Sequence, residues 1–467
     1  MDISVTLVNP PYPKNVHQHP ALIPLGLGYL GAVLEKNGYS VNVIDCQALK
    51  LTHKDFERQI TRRQPKVVGI TSTTLTYKSA LKAAEIAKQV NPDCITILGG
   101  CHATFWDDKA LEECPPLNIV VRKEGENTLL EIVNRLKENR HLDDATGTTC
   151  RKNGKIIRNV DRPPIEDLDN LPFPSHHLLP LEHYRMPRRM GKIIFPVSTS
   201  RGCIYWCDFC SAVRMFGQKY RVRKPKKVVD EIQFLIEKYG AQQISFYDDA
   251  FTVDQPRARE ICEEIQNRKI QIDWDCECRV DMVTKELLQT MKKAGCNGVW
   301  FGVESGCQNV INKMGKNIKV VQTQKAFKWA NDTGLTTSAG VVLGFPGETK
   351  ETALQTVKFV EELNASNVGY YFATPYPGTP MYDFVRERDW LRITDFDKYD
   401  TATPIFESPT VSTKDLQEIR EKAYQRFYTR PTYTLSMLRK GGIFGIYSAR
   451  VSLAYMRRAL KAKLQGK

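Results

Sequence analysis

Apolar positions divide this chain into two long regions that follow the same rule. Over residues 1–145, short apolar runs at 3–8, 41–44, 67–70, 96–98 and 118–121 alternate with stretches apolar at helical spacing. The run at 3–8 stops at Asn9-Pro10-Pro11, which cannot continue a central strand. Residues 26–37 are apolar every third or fourth position and end at Gly38, a natural helix stop. Strands alternating with helices predict a parallel sheet covered on both faces, a Rossmann-like (flavodoxin-like) domain. Such sheets bind ligands outside the carboxyl ends of their strands. Asn9-Pro10-Pro11, Thr71-Ser72-Thr73, Gly99-Gly100 and Glu124-Gly125-Glu126 all fall there.

Residues 146–189, rich in Pro, Leu and Asp from 165 onward, read as a wrapped linker. Its paired His176 and His177 suit solvent or an interface better than a metal. From 190 to 385 the pattern repeats, with strands near 194–199, 243–247, 272–277, 298–303, 337–343 and 368–373. Six strand–helix units predict a partial (β/α)6 version of the TIM-type barrel, whose chemistry belongs at the carboxyl ends of the strands. Residues 386–467 read as a helical C-terminal region. The fold class is therefore α/β throughout, with that helical region last.

One short stretch carries distinctive chemistry. Ser200-Arg201-Gly202-Cys203-Ile204-Tyr205-Trp206-Cys207-Asp208-Phe209-Cys210 follows the first barrel strand and spaces its cysteines as CxxxCxxC. Thiolates suit iron–sulfur clusters or zinc. A cubane cluster takes four cysteines, so three on one loop leave an iron open to a substrate. Three cysteines and a water could instead hold zinc. They could also be reduced and unliganded, as small buried hydrophobes.

The triad after an apolar strand resembles the radical S-adenosylmethionine (SAM) family. That resemblance implies a 4Fe–4S cluster held by Cys203, Cys207 and Cys210, with SAM on the open iron and Phe209 beside the last ligand. It also implies that SAM is cleaved to a 5′-deoxyadenosyl radical. Bound SAM offers an ammonium, a sulfonium, a ribose diol and a carboxylate. Acids suit the first three and an arginine the last. Asp248 and Asp249 end the second barrel strand, Arg279 follows the third, Glu304 ends the fourth, and Gly344 and Pro346 end the fifth. Many family members carry Gly-Gly-Glu where Tyr247-Asp248-Asp249 stands, and the Asp-Asp form resembles the cobalamin-dependent branch.

The first domain resembles the cobalamin-binding domain of that branch. The similar segments contain Asn9 and Pro10, Thr71 and Ser72, Gly99, Gly100 and His102, and Glu124, Gly125 and Glu126. Small residues there would admit a corrinoid and its nucleotide tail. No Asp-x-His-x-x-Gly motif occurs, so the expectation is cobalamin without a histidine lower ligand. A relic domain without cofactor is the competing reading. Gly26-Leu27-Gly28-Tyr29-Leu30-Gly31 matches GxGxxG but follows a long loop rather than a strand, so the glycines are expected to be helix-packing positions, not a dinucleotide site.

The resemblance implies radical methylation of an unactivated carbon, or ring formation without methyl transfer. It also implies an electron donor such as a flavodoxin or ferredoxin. A methylthiotransferase acting on RNA would need a second cysteine triad in the first domain. Cys46, Cys94, Cys101 and Cys114 are scattered there, although Cys94 and Cys101 could meet. A zinc- or cluster-bearing scaffold is the non-enzymatic alternative.

Net charge is +14, and from Arg430 onward nine Lys or Arg stand without one Asp or Glu. Residues 448–464 set Val451, Tyr455, Leu460 and Leu464 among basic residues, an amphipathic pattern suited to an anionic membrane surface and a hydrophobic or lipid substrate. Basic residues interleaved with aromatics do not cluster elsewhere, so nucleic acid is not expected. Thirteen cysteines without regular pairing, and no signal peptide or apolar run of eighteen, point to a reducing cytoplasm.

Overall fold

The computed structural model describes residues 3–13, 22–186 and 192–430, together with Tyr433 and Leu453. Its first sheet contains β1 (Ser4–Asn9), β2 (Ser40–Asp45), β3 (Val67–Thr71), β4 (Ile95–Gly99), β5 (Ile119–Val121), β6 (Thr148–Lys152) and β7 (Lys155–Arg158). The order is β2-β1-β3-β4-β5-β6-β7. The first five strands are parallel, and β6 and β7 continue antiparallel. Val67, Val68 and Ile70 of β3 are all buried, as a strand covered on both faces requires. The order 2-1-3-4-5 is a doubly wound one.

The β6–β7 hairpin was not expected within the 146–189 linker. It turns at Asn153 (φ +49°) and Gly154 (φ +79°), an Asn-Gly pair that favours a tight hairpin turn. The rest of the segment is wrapped. Gly28 and Gly31, on the helix Leu25–Lys36, let it approach closely: a Cβ on Gly28 would lie 3.0 Å from Pro174, and one on Gly31 2.8 Å from Leu178. His176 is fully buried between the rings of Phe195 and Tyr239, while His177 pairs with Glu35.

The second sheet contains β8 (Arg185–Met186), β9 (Lys192–Val197), β12 (Gln243–Phe246), β13 (Asp273–Cys278), β14 (Cys296–Glu304), β15 (Thr336–Leu343) and β16 (Asn367–Phe372). Six of these run parallel in sequence order, and β8 is antiparallel at one edge. This is the partial barrel. Between β9 and β12 a small ribbon pairs β10 (Ser200–Arg201) with β11 (Arg221–Val222). Alternation along β13 is instructive. Trp274, Cys276 and Cys278 pack outward into the core, and Asp275 and Glu277 take the opposite, lumen face.

The C-terminal region packs on both domains. Phe396, Tyr399 and Ile405 of the C-terminal region complete the core of the first domain. The helix Thr413–Thr429 lies on the barrel, where Leu416, Ile419, Ala423 and Phe427 are buried. The basic segment 448–464 lies outside the described residues apart from Leu453.

Candidate active site where the two sheets face each other

The cysteine loop leaves β10 through Gly202, which sits at φ +93°. A Cβ there would overlap the Lys219 carbonyl oxygen, so the turn needs glycine. The loop is then fastened on several sides. Cys203 N–H donates to Gly217 O (3.4 Å), Asp208 N–H to Met314 O (3.0 Å), and Met381 N–H to Asp208 O (3.0 Å). Ala212 N–H donates to the Cys210 sulfur at 3.4 Å. All three thiols are free, and burial pushes their pKa values up, that of Cys210 to about 12. Buried thiols held neutral are inert, whereas metal coordination deprotonates them outright. Among the described residues no three His, Cys, Asp or Glu converge on one metal-ion position. A cubane places each cysteine on a different iron, so its ligands need not converge.

The strand-end residues separate by role. Asp248 is buried and committed to backbone: it accepts from Thr199 N–H (2.6 Å), Ser200 N–H (2.9 Å) and the Thr199 hydroxyl. It shapes the approach to the cysteine loop and is not among the described residues that line the cavity below, where the resemblance implies a SAM contact. Asp249 has no hydrogen-bond partner among the described residues and faces the cavity described below. Although its surface is open to that cavity, desolvation by the surrounding protein and the neighbouring Asp248 carboxylate raise its pKa to about 6.

Arg279 donates from Nε and Nη2 to both oxygens of Asp281 (3.0 and 3.1 Å) and from Nη2 to Lys316 O (2.8 Å). Its guanidinium lies 3.5 Å from the ring centre of Tyr205, inside the cysteine loop. Glu304 sits at φ +60°, where a shift in the β14–β15 register marks a bulge. Its carboxylate pairs with the ammonium of Lys316, and both are buried. A Cβ on Gly302 would overlap both charged ends, so the ion pair lies over a glycine. Gly344 is at φ +83°, with its N–H on Glu348, and the following Phe345 meets Phe209 edge-on at 6.5 Å.

A cavity of about 320 Å³ separates this end of the barrel from the first sheet. Gly69, Thr71, Gly99 and Gly100 form one side, and Leu7, Leu27, Leu30, Ile97 and Leu129 extend it into the layer between sheet and helices. Ser198, Ser200, Tyr247 and Asp249 close it from the barrel, and Glu124, Gly125 and Glu126 wall it laterally. Gly100 is at φ +97°, and a Cβ there would lie 2.5 Å from Ser72 O.

Four expected cobalamin contacts are not among the described lining residues. Asn9 and Pro10 are tied to Gln47, and Asn9 also to Asp45. Ser72 is buried beneath Gly99, to whose carbonyl its N–H donates. His102 is caged by Tyr77, Trp106 and Phe396, with Nδ1 on the Thr74 hydroxyl (3.1 Å) and its pKa lowered by burial to about 3.

The comparisons with known proteins follow this division. Residues 19–133 match the B12 binding domain, and residues 197–360 match the Radical SAM superfamily. An uncharacterized methyltransferase of Pyrococcus horikoshii is 35% identical over 408 residues, covering 87% of this chain and 88% of that protein. The chain belongs to the cobalamin-dependent radical SAM enzymes.

The anaerobic magnesium-protoporphyrin IX monomethyl ester cyclase of Rubrivivax gelatinosus is 30% identical over 417 residues, covering 88% of this chain and 74% of that enzyme. Among solved structures, the radical SAM methyltransferase TsrM from Kitasatospora setae, with cobalamin and a [4Fe-4S] cluster bound, has the same fold. It superposes with a TM-score of 0.75 at 18% identity, covering 99% of this chain and 100% of that one. As a member of this branch, the chain takes a 4Fe–4S cluster, SAM and cobalamin. Its own residues fit them: three cysteines on a pinned loop, and a glycine-floored cavity with apolar walls.

Two polar groups of this radical SAM site escaped the sequence reading. Glu277 points from β13 into the lumen without a hydrogen-bond or ion-pair partner among the described residues. Although its surface is open to the lumen, desolvation by the surrounding protein and the nearby Asp249, Glu304 and Asp275 carboxylates raise its pKa to about 7. Lys316 reaches Glu304 from the loop after a helix. The β13 alternation signalled the first; nothing local signalled the second. Cys94 and Cys101 do not meet. They flank opposite ends of β4, roughly 20 Å apart at strand rise, so among the described residues no second triad supports methylthiolation.

Proposed function

We propose that this enzyme methylates an unactivated carbon of a hydrophobic metabolite. The observation that supports it is the shared cavity: the glycine floor of the cobalamin domain and the strand ends beside the cysteine loop line one space of about 320 Å³. A methyl donor and a radical source that serve one carbon must open onto a common volume. When bound, the cofactors supply the hard chemistry, with the cluster and SAM generating a 5′-deoxyadenosyl radical and cobalamin carrying a methyl group.

The protein's part is placement. Cys203, Cys207 and Cys210 hold the cluster, and Phe209 packs against Phe345 beside it. Asp249 and the Lys316–Glu304 pair meet the charged ends of SAM, with Gly344 and Pro346 shaping the wall. Arg279 braces the loop through Tyr205. Thr71, Gly99, Gly100 and Gly125 would leave room for a corrinoid, and Leu7, Ile97 and Leu129 would keep water from its buried part. A low-potential donor such as a flavodoxin or ferredoxin supplies electrons.

A second reading is ring formation without methyl transfer, favoured by the relative of Rubrivivax gelatinosus that is named a cyclase. Anaerobic turnover with hydrophobic candidates and mass spectrometry separates the two. Methylation adds one CH2 to the substrate, and oxidative cyclisation removes hydrogen. No helix among the described residues is long and apolar enough to cross a membrane. If the basic tail carries the enzyme to lipid, the full chain sediments with anionic vesicles at low salt and a chain ending at Pro431 does not. Both staying in the supernatant would contradict the membrane-resident substrate.

A further inference from the structure

The charged groups on the lateral wall of the cavity are joined to the cysteine loop by one side chain. Arg201 stands two residues before Cys203, separated from it only by Gly202. Its side chain crosses from the barrel into the cobalamin domain. Nη1 donates to Glu124 Oε1 (2.7 Å) and Nη2 to Glu126 Oε1 (2.6 Å), and the guanidinium lies 5.2 Å from the ring centre of Tyr29.

The ribbon partner of Arg201 makes a parallel contact. Arg221 donates to both oxygens of Glu124 (3.0 and 2.8 Å) and to Ile165 O (2.6 Å). All four charged side chains are nearly inaccessible to solvent. Glu124, Glu126, Arg201 and Tyr29 all line the cavity.

Buried ion pairs are weak devices for stability, because well-packed apolar residues serve as well or better. What they do provide is registry: each arm of a guanidinium fork fits one arrangement of its carboxylates. Here one carboxylate sits on the loop and the other at the start of the helix Glu126–Lys137, both walling the cavity, and Arg201 is almost continuous with the first cluster ligand.

We infer that Arg201 is a positioning residue that couples the cobalamin cavity to the cluster loop, so that filling either site changes the other. The inference rests on the cofactors of the family and not on the proposed substrate. Coupling between sites is reciprocal and is typically worth about 5- to 150-fold in affinity. Cluster loading should therefore tighten cobalamin binding within that range, and cobalamin should shift the EPR signal and midpoint potential of the reduced cluster.

The test uses the full chain, anaerobically, with hydroxocobalamin as the probe. Its dissociation constant is measured on cluster-loaded protein and on the cluster-free variant Cys203→Ala/Cys207→Ala/Cys210→Ala. The comparison is repeated in Arg201→Lys, which keeps the charge but lacks the rigid planar fork that spans the two carboxylates, and in Glu126→Gln, which weakens one arm. The expected result is a cluster-dependent affinity and a cobalamin-dependent EPR shift in the wild type. Both should be lost in Arg201→Lys and partly lost in Glu126→Gln, each read as the ratio of the cluster-free to the cluster-loaded dissociation constant within one variant, so that a change in affinity common to both forms cancels; iron content should match the wild type. If Arg201→Lys does not fold, Glu126→Gln alone decides, by showing reduced or full coupling. An affinity independent of the cluster in the wild type, or full coupling in the variants, would overturn the inference.

Discussion

Replacing Lys316 by Met removes the counter-charge of Glu304 without creating a large void. Both side chains are buried, with Lys316 at 6% and Glu304 at 8% exposure. The nearby carboxylate of Glu277 is of like sign, and Arg279 is already held by Asp281. An uncompensated buried charge costs about 3–5 kcal/mol. At about 2–4 °C per kcal/mol for a unit of this size, the barrel transition should fall by roughly 6–20 °C. Differential scanning calorimetry on the apo-protein under reductant reads this directly. The double variant Lys316→Met/Glu304→Gln leaves a neutral polar group in place of a charge, at about 1–3 kcal/mol, so it should melt above the single variant. A loss under about 1 kcal/mol, or a double variant no more stable than the single one, would refute the claim that the pair is buried and isolated from other cations.

Three further outcomes follow from the site. Asp249 and Glu277, at about 6 and about 7, bind protons more tightly folded than unfolded. Their contribution to stability is therefore full below about pH 4 and lost as pH rises through 6–7; Asp249→Asn/Glu277→Gln should flatten the fall in melting temperature between pH 5 and 8, and an unchanged slope would count against it. Gly100→Ala forces a Cβ to 2.5 Å from Ser72 O at φ +97° and should weaken hydroxocobalamin binding at least about tenfold, by roughly 1.4 kcal/mol or more, while iron content stays the same. His102→Leu should leave the spectrum of bound cobalamin unchanged, because the caged ring is not among the residues lining the cavity; histidine nitrogen coupling in the cobalt EPR signal that vanishes in the variant would contradict this.

Much of this architecture is legible in the chain because parallel strands buried on both faces write themselves as short apolar runs between helical periods. All six barrel strands fall where the pattern puts them, and the cysteine spacing marks the reactive end. What stays hidden is decided by orientation. Asp248 and Asp249 are adjacent and chemically equal, yet one grips the β9 end and the other faces the cavity. His102 sits in a glycine-rich strand end and turns into an aromatic cage supplied partly by Phe396, nearly three hundred residues on. The clamp of Arg201 on Glu124 and Glu126 joins positions 77 and 75 residues apart. The Asn153-Gly154 hairpin and the lumen-facing Glu277, by contrast, had local signals in turn chemistry and strand alternation.

The central claim, methyl transfer by a cobalamin-dependent radical SAM enzyme, is tested most directly by the fate of SAM. Anaerobic turnover with a reductant, a candidate substrate and methyl-labelled SAM should yield 5′-deoxyadenosine and S-adenosylhomocysteine in equal amounts, and a product carrying the labelled methyl group. 5′-Deoxyadenosine formed with product but without S-adenosylhomocysteine or label would contradict the account and assign ring formation instead.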